Sequence, residues 1–206
     1  PLKNALAAHQ APEQRRRCID DEDSEHDHPH PEQLWRRLRR DDTEGDPVFA
    51  SVVEETSVLG FITCDRPLNN GPQHYVFNRG VRALNDWVSN GTLPPTSPQL
   101  TLNDDGTDYL YDDLGNALGG IRSPYVDAPS AVLLGDANSG NGFCFLFGST
   151  SLFSAEQMAS LYVDQAGFVQ AVTEATEASV AADFLLREDA DAIIEWAPRQ
   201  WDLQVP

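Results

Sequence analysis

The run from Gly71 to Pro95, GPQHYVFNRGVRALNDWVSNGTLPP, constrains the fold of this chain more than any other stretch, because both ends and one face of a helix can be read from it. Pro72 suits the first position of a helix, where a missing N–H costs nothing, and Gly91 stands where a helix-ending glycine belongs. Between them Val76, Arg79/Gly80, Ala83, Leu84, Trp87 and Val88 recur at spacings of three and four. That pattern reads as one apolar stripe, with a small-residue gap at Gly80 for close packing. A stripe that wide calls for a surface to lie on. Thr92-Leu93-Pro94-Pro95 then rules out further helix and sends the chain on in extended form.

Upstream, FASVVEETSVLGFITC (Phe49 to Cys64) is rich in β-branched residues and interrupted at Gly60, which fits two short strands or a strand and a loop. DRPLNNGP is turn chemistry throughout. Downstream, Leu102 to Gly120 carries two acidic glycine turns. A calcium loop needs oxygen ligands at alternating positions closed by a bidentate Glu, and none closes this one, so hairpin turns are expected. Tyr125 to Leu134 reads as a strand that Pro124 and Pro129 place at a sheet edge or turn into an irregular crossing. DANSGNG (Asp136 to Gly142) matches neither a P-loop nor a dinucleotide fingerprint and reads as a long turn. Phe143 to Phe147 is the most apolar run and is expected to be buried. Three helices should follow. Ser154 caps the first with Gln157 in a capping box, and it ends at Tyr162. Asp164 caps the second, which reaches about Phe184 with Phe168, Val172, Ala175, Ser179 and Ala182 on one face. The third runs from Arg187 to Trp196, stopped by Pro198. No ionisable residue stands out on those faces.

At 206 residues and 40% hydrophobic content, one domain or a piece of a larger one is expected. Residues 1–48 hold twelve acids and eight bases with almost no periodic apolar pattern, and read as a disordered tail ahead of a globular part spanning 49–206. Within the tail, His26, His28 and His30 alternate among carboxylates. They could hold Zn²⁺ or Ni²⁺ loosely, but no scaffold fixes a geometry, so a solvated run without a metal site is expected. Leu34 to Asp42 is basic at its centre but flanked by acids, which suits a short solvated helix better than a nucleic-acid patch. The net charge of −19 and pI near 4.3 repel phosphates and anionic lipid, which argues against a nucleic-acid partner. With no initiator Met, no signal-peptide core and no apolar run of membrane-spanning length, the chain reads as soluble, cytoplasmic or exported, and as beginning inside a larger protein. Three cysteines without a C-x-x-C offer no zinc framework, and no cofactor is expected.

The catalytic candidates are few. His74, in the first turn of the Gly71–Pro95 helix, is the only histidine of the globular part. It is a nominal hydrolase base, or else a packed, hydrogen-bonded histidine near a helix start. Ser149 and Ser151, in Gly148-Ser149-Thr150-Ser151, lack the glycines two residues before and after that a nucleophile elbow needs.

The run CDRPLNNGPQHYVFNRGVRALNDWVSNGTLPP, ending in W-V-x-x-G-T-x-P-P, resembles the C-terminal part of the large bacterial family of α/β hydrolase domain-containing proteins. GNALGGIRSPYVDAP and GFCFLFGSTSLFSAEQMASLY are similar to the family's tail, so the resemblance covers about Asp65 to Ala197. It implies the C-terminal fragment of an esterase-like serine hydrolase, α+β as it stands, with an antiparallel β segment and C-terminal helices. The remainder of the hydrolase domain would be its partner. The family's catalytic histidine follows a strand, in a loop of the type A-G-T-x-H. Leu34-Trp35 fits the start of that strand and the match then stops, which a change of reading frame upstream of Val48 would produce. Without an elbow serine the fragment is expected to be inactive alone, the alternative being a non-catalytic packing or interaction module. Cys64 and Cys144 both fall in matching segments, whereas Cys18 does not. That leaves two readings: neighbouring cysteines, bridged if the protein is exported, or two separately buried thiols.

Overall fold

A computed structural model describes residues 54–58, 60–135 and 138–206; the tail at 1–48, with His26, His28, His30 and Cys18, lies outside the described residues. Two short antiparallel pairs and five helices make up the described fold. The first pair is β1 (Ser57–Val58) with β2 (Ile62–Thr63), reversed at Gly60 with φ 73°. The second is β3 (Ala131–Leu134) with β4 (Ser149–Leu152), in a register that sets Ala131 opposite Leu152 and Leu134 opposite Ser149. Between the pairs run α1 (Gln73–Asn90), two tight turns at Asn103–Gly106 and Asp112–Gly115 flanked by single antiparallel bridges, and one helical turn, α2 (Pro124–Asp127). The strand expected over Tyr125 to Leu134 therefore starts only at Ala131, because Pro124 opens a helical turn that Ser123 leads into from extended backbone.

Three helices close the chain: α3 (Ala155–Tyr162), α4 (Gln165–Ala181) and α5 (Arg187–Gln204). Their starts follow from the sequence. Ser154 and Gln157 form a reciprocal capping box, and the Asp164 carboxylate accepts from Gly167 N–H at 2.9 Å. Gly167 has no alternative at its position, since a Cβ there would lie 2.0 Å from the Tyr162 carbonyl oxygen. These helices carry the core. Met158, Phe168, Val172, Ala190, Ile193 and Ala197 are buried with Trp201, and the Phe168 ring meets Tyr162 edge-on at 5.0 Å and Trp201 at 5.9 Å.

Pro198 does not stop the last helix, which continues to Gln204. An interior proline costs about 3 kcal/mol. Burial of Ala197 and Trp201 on either side offsets it, as does the Pro198 carbonyl accepting from Gln165 Nε2 at 3.2 Å. An ionisable group also stands on these helices after all: Asp189, in the first turn of α5, is buried and accepts from Asn78 Nδ2 at 3.2 Å. A carboxylate is favoured there by the helix dipole.

α1 is bounded much as its sequence implies, with Pro72 just ahead of it and Gly91 closing it in the left-handed region at φ 79°. Its orientation is the unexpected part. The covered arc runs through Tyr75, Arg79 and Ala83, and is tied to the C-terminal helices by Asn78–Asp189 and by a bidentate Arg79–Asp183 pair. The expected stripe turns outward instead: of its members Ala83 is buried, while Leu84, Trp87 and Val88 are exposed, joined by Phe77 and Val81. Gly80 is no packing gap, since a Cβ there would meet nothing within 4 Å. Phe143, Phe145 and Leu146 are likewise exposed rather than buried. A short 3-10 turn over Cys144–Leu146 pins only Cys144 inside and splays its neighbours outward.

Candidate functional site

The segment from Asp65 to Gly71 reaches α1 across a layer of polar contacts. Asp65 N–H donates to Ser139 O at 2.7 Å, and Ser139 Oγ returns a bond to the Asp65 carboxylate at 2.8 Å. Buried Asn138 accepts from Arg66 N–H at 3.3 Å and donates to the Arg66 and Gly148 carbonyls. Asn69 donates from its backbone to Phe147 O at 3.1 Å and from its side chain to Leu134 O at 2.8 Å. Asn70 exchanges two bonds with the Thr150 hydroxyl, at 3.1 and 3.0 Å. At the head of the segment Cys64 and Cys144 form a disulfide with Cα atoms 5.4 Å apart, both residues buried.

This arrangement builds an open groove of about 790 Å³. Asn69, Gly71 and Pro72 form one wall; Gln73, Val76, Gly80 and Leu84 of α1 line it with Phe77 and Val81; Ile121, Ser123, Tyr125 and Leu133 complete it. No Asp, Glu, His, Lys, Arg or Cys is among these residues, and the Asn69 side chain is committed to Leu134 O and Gly71 N–H. A surface of this kind receives apolar groups. Among the described lining residues the hydroxyls are those of Ser123 and Tyr125, and no Asp, Glu, His or Lys lines the groove with them to serve as the base that activates a serine.

His74 is the second residue of α1, half-buried, with its ring centroid 3.9 Å from that of Tyr75; it does not line the groove. Ser149 is buried and Ser151 exposed on β4, both inside a strand rather than at a strand-to-helix turn, and Ser154 is spent on its cap. The groups whose acidity shifts lie on the helices. Burial pushes the Tyr162 phenol, which donates to Pro129 O at 2.7 Å, well above its ordinary value. Hydrogen bonds from Arg187, with its positive charge adding and partial desolvation opposing, lower the Glu177 carboxyl. The groove escaped sequence reasoning because Asn69, Leu84, Ile121 and Leu133 come from four separate segments. The buried Asp189 left one faint signal, an acid in the first turn of the helix pattern that begins at Arg187.

A family model described as alpha/beta hydrolase domain matches residues 24–195. The match takes in the Asp65–Ala197 stretch almost to its end and extends upstream of it through the acidic histidine run. No curated protein and no solved structure matches the chain.

Proposed function

The chain belongs to the alpha/beta hydrolase domain family, and on that premise we propose that it is the C-terminal part of an esterase-like serine hydrolase, inactive alone. In this reading the nucleophile elbow is supplied by the remainder of the domain. The observation that carries it is the groove: a largely apolar surface on the outward arc of α1 whose described lining holds no Asp, Glu, His, Lys, Arg or Cys. Phe77, Val81, Leu84 and Val88 stand 48–78% open. Full burial of such a side chain contributes about 1.5–3 kcal/mol. Covering the arc therefore contributes several kcal/mol, more than the exposed ion pairs of the molecule can. His74, packed against Tyr75, would act as base only if the rest of the domain delivered a serine to it.

The same open arc favours a second reading, a non-catalytic module that docks on a partner. A strand-turn-helix with G-x-S-x-G encoded upstream in the same gene supports the hydrolase reading, and a gene without one favours the module. The direct test is hydrolysis of nitrophenyl acetate by the chain as given. The expected result is a rate equal to that of the denatured chain, and turnover abolished by a serine-directed phosphonate would overturn the proposal.

A further inference from the structure

The polar wall of the groove has no fully buried hydrophobic anchor of its own, Pro67 and Leu68 being half-buried. From Asp65 to Gly71 every residue is exposed or half-buried; the chain is buried only at Cys64 before it and Pro72 after it. What holds the wall to the Asn138–Thr150 stretch is the hydrogen-bond layer described above, with Thr150 N–H donating to Pro67 O at 3.0 Å, and the one covalent link at its head. Hydrogen bonds of this kind each contribute only about 0.5–1.5 kcal/mol net, because water offers the same bonds to an opened loop. The backbones also meet closely at the bridge. Gly140 pairs with Cys64, and a Cβ on it would lie 2.8 Å from Thr63 O and 2.9 Å from Cys64 Cα, so this approach has no side chains to cement it. The C-terminal helices, by contrast, supply most of an apolar core, which Tyr75 and Ala128 join, and contain no cysteine.

From this asymmetry we propose that Cys64–Cys144 is a redox-sensitive latch on the groove: oxidised, it holds the Asp65–Gly71 wall in place; reduced, it releases the wall and leaves the helical half folded. The reductant is a dithiol. One of its thiolates attacks a cystine sulfur and displaces the other as a thiolate; its second thiol then resolves the mixed disulfide. Two electrons and two protons pass to the cystine, giving two cysteine thiols and a ring disulfide on the reductant. Both cysteines are buried, so the attack waits on a local opening of the Gly140–Gly142 turn or the β1–β2 hairpin. The proposal holds whether or not the chain is part of an esterase, and its test does not read activity.

The test is hydrogen exchange by mass spectrometry on the full chain, oxidised and after dithiothreitol, with short labelling times that report the native ensemble. The expected result is that amides of residues 65–71 and 138–148 exchange at least about a hundredfold faster after reduction, while those of α4 and α5 keep their protection. A Cys64→Ser/Cys144→Ser variant without reductant should reproduce the reduced pattern. Unchanged protection of residues 65–71 after reduction, simultaneous loss of protection in α4 and α5, or a double variant that keeps the oxidised pattern would each overturn the latch.

Discussion

The two ends of the described fold handle apolar surface in opposite ways. In α3 to α5 the large side chains point at one another: Met158 and Phe168 are fully buried, and Tyr162 and Trp201 pack on them. In the stretch from β1 to the Cys144–Leu146 turn many large apolar side chains point outward, although Tyr75 is buried. Phe61, Phe77, Val88, Phe143, Phe145 and Leu146 are all more than 60% exposed. Buried polar groups stand among the small buried residues there and on the adjoining β4, with Asn116, Asn138 and Thr150 each hydrogen-bonded across segments. Scattered exposed apolar residues are ordinary, but a contiguous run along one helix marks a surface meant to be covered. The helical end gathers most of a closed core, joined by Tyr75 and Ala128, whereas the outward arc of α1 presents an open one.

Truncation at the two ends should differ sharply. Phe168→Ala removes a ring enclosed by Tyr162, Met158 and Trp201, and the cavity should cost about 3–5 kcal/mol in chemical denaturation. A loss under 1 kcal/mol would mean that the helical end does not carry most of the closed core. A smaller effect sharpens the same contrast through pH. Burial raises the Tyr162 pKa above its ordinary 10 in the folded chain. Its contribution is fully present below pH about 10, and is lost as pH rises beyond that, where the unfolded chain ionises first. Tyr162→Phe should leave the Pro129 carbonyl without its partner, cost about 1 kcal/mol at neutral pH, and flatten the alkaline fall in stability. An unchanged alkaline slope would place the titrating group elsewhere.

Local chemistry was the legible part of this sequence. The caps at Ser154 and Asp164, the left-handed Gly91 and the turn at Gly60 are fixed by neighbours in the chain, and they stand where the residues imply. The facing of α1 was not legible, because periodicity reveals that an apolar arc exists but not which arc is covered. Asn78–Asp189 and Arg79–Asp183 decide it, across more than a hundred residues. Phe143 to Leu146 misleads for a related reason: composition favours burial of the whole run, while the backbone at Cys144 allows it for one residue. Pro198 shows packing overriding a local rule. Of the candidate site, Asn69 was visible only as turn chemistry, and its role as a wall depends on Leu133 and Leu134, brought to it by the β3–β4 pairing.

The smallest expected effect is the most telling. Leu84→Gln with Val88→Gln replaces two members of the outward arc by polar residues of good helix propensity, changing little else. If that arc is open in this chain, the double variant should unfold in denaturant within about 0.5 kcal/mol of the parent, as exposed substitutions do. A loss of several kcal/mol would show the arc to be covered and would contradict the contrast between a closed helical end and an open groove.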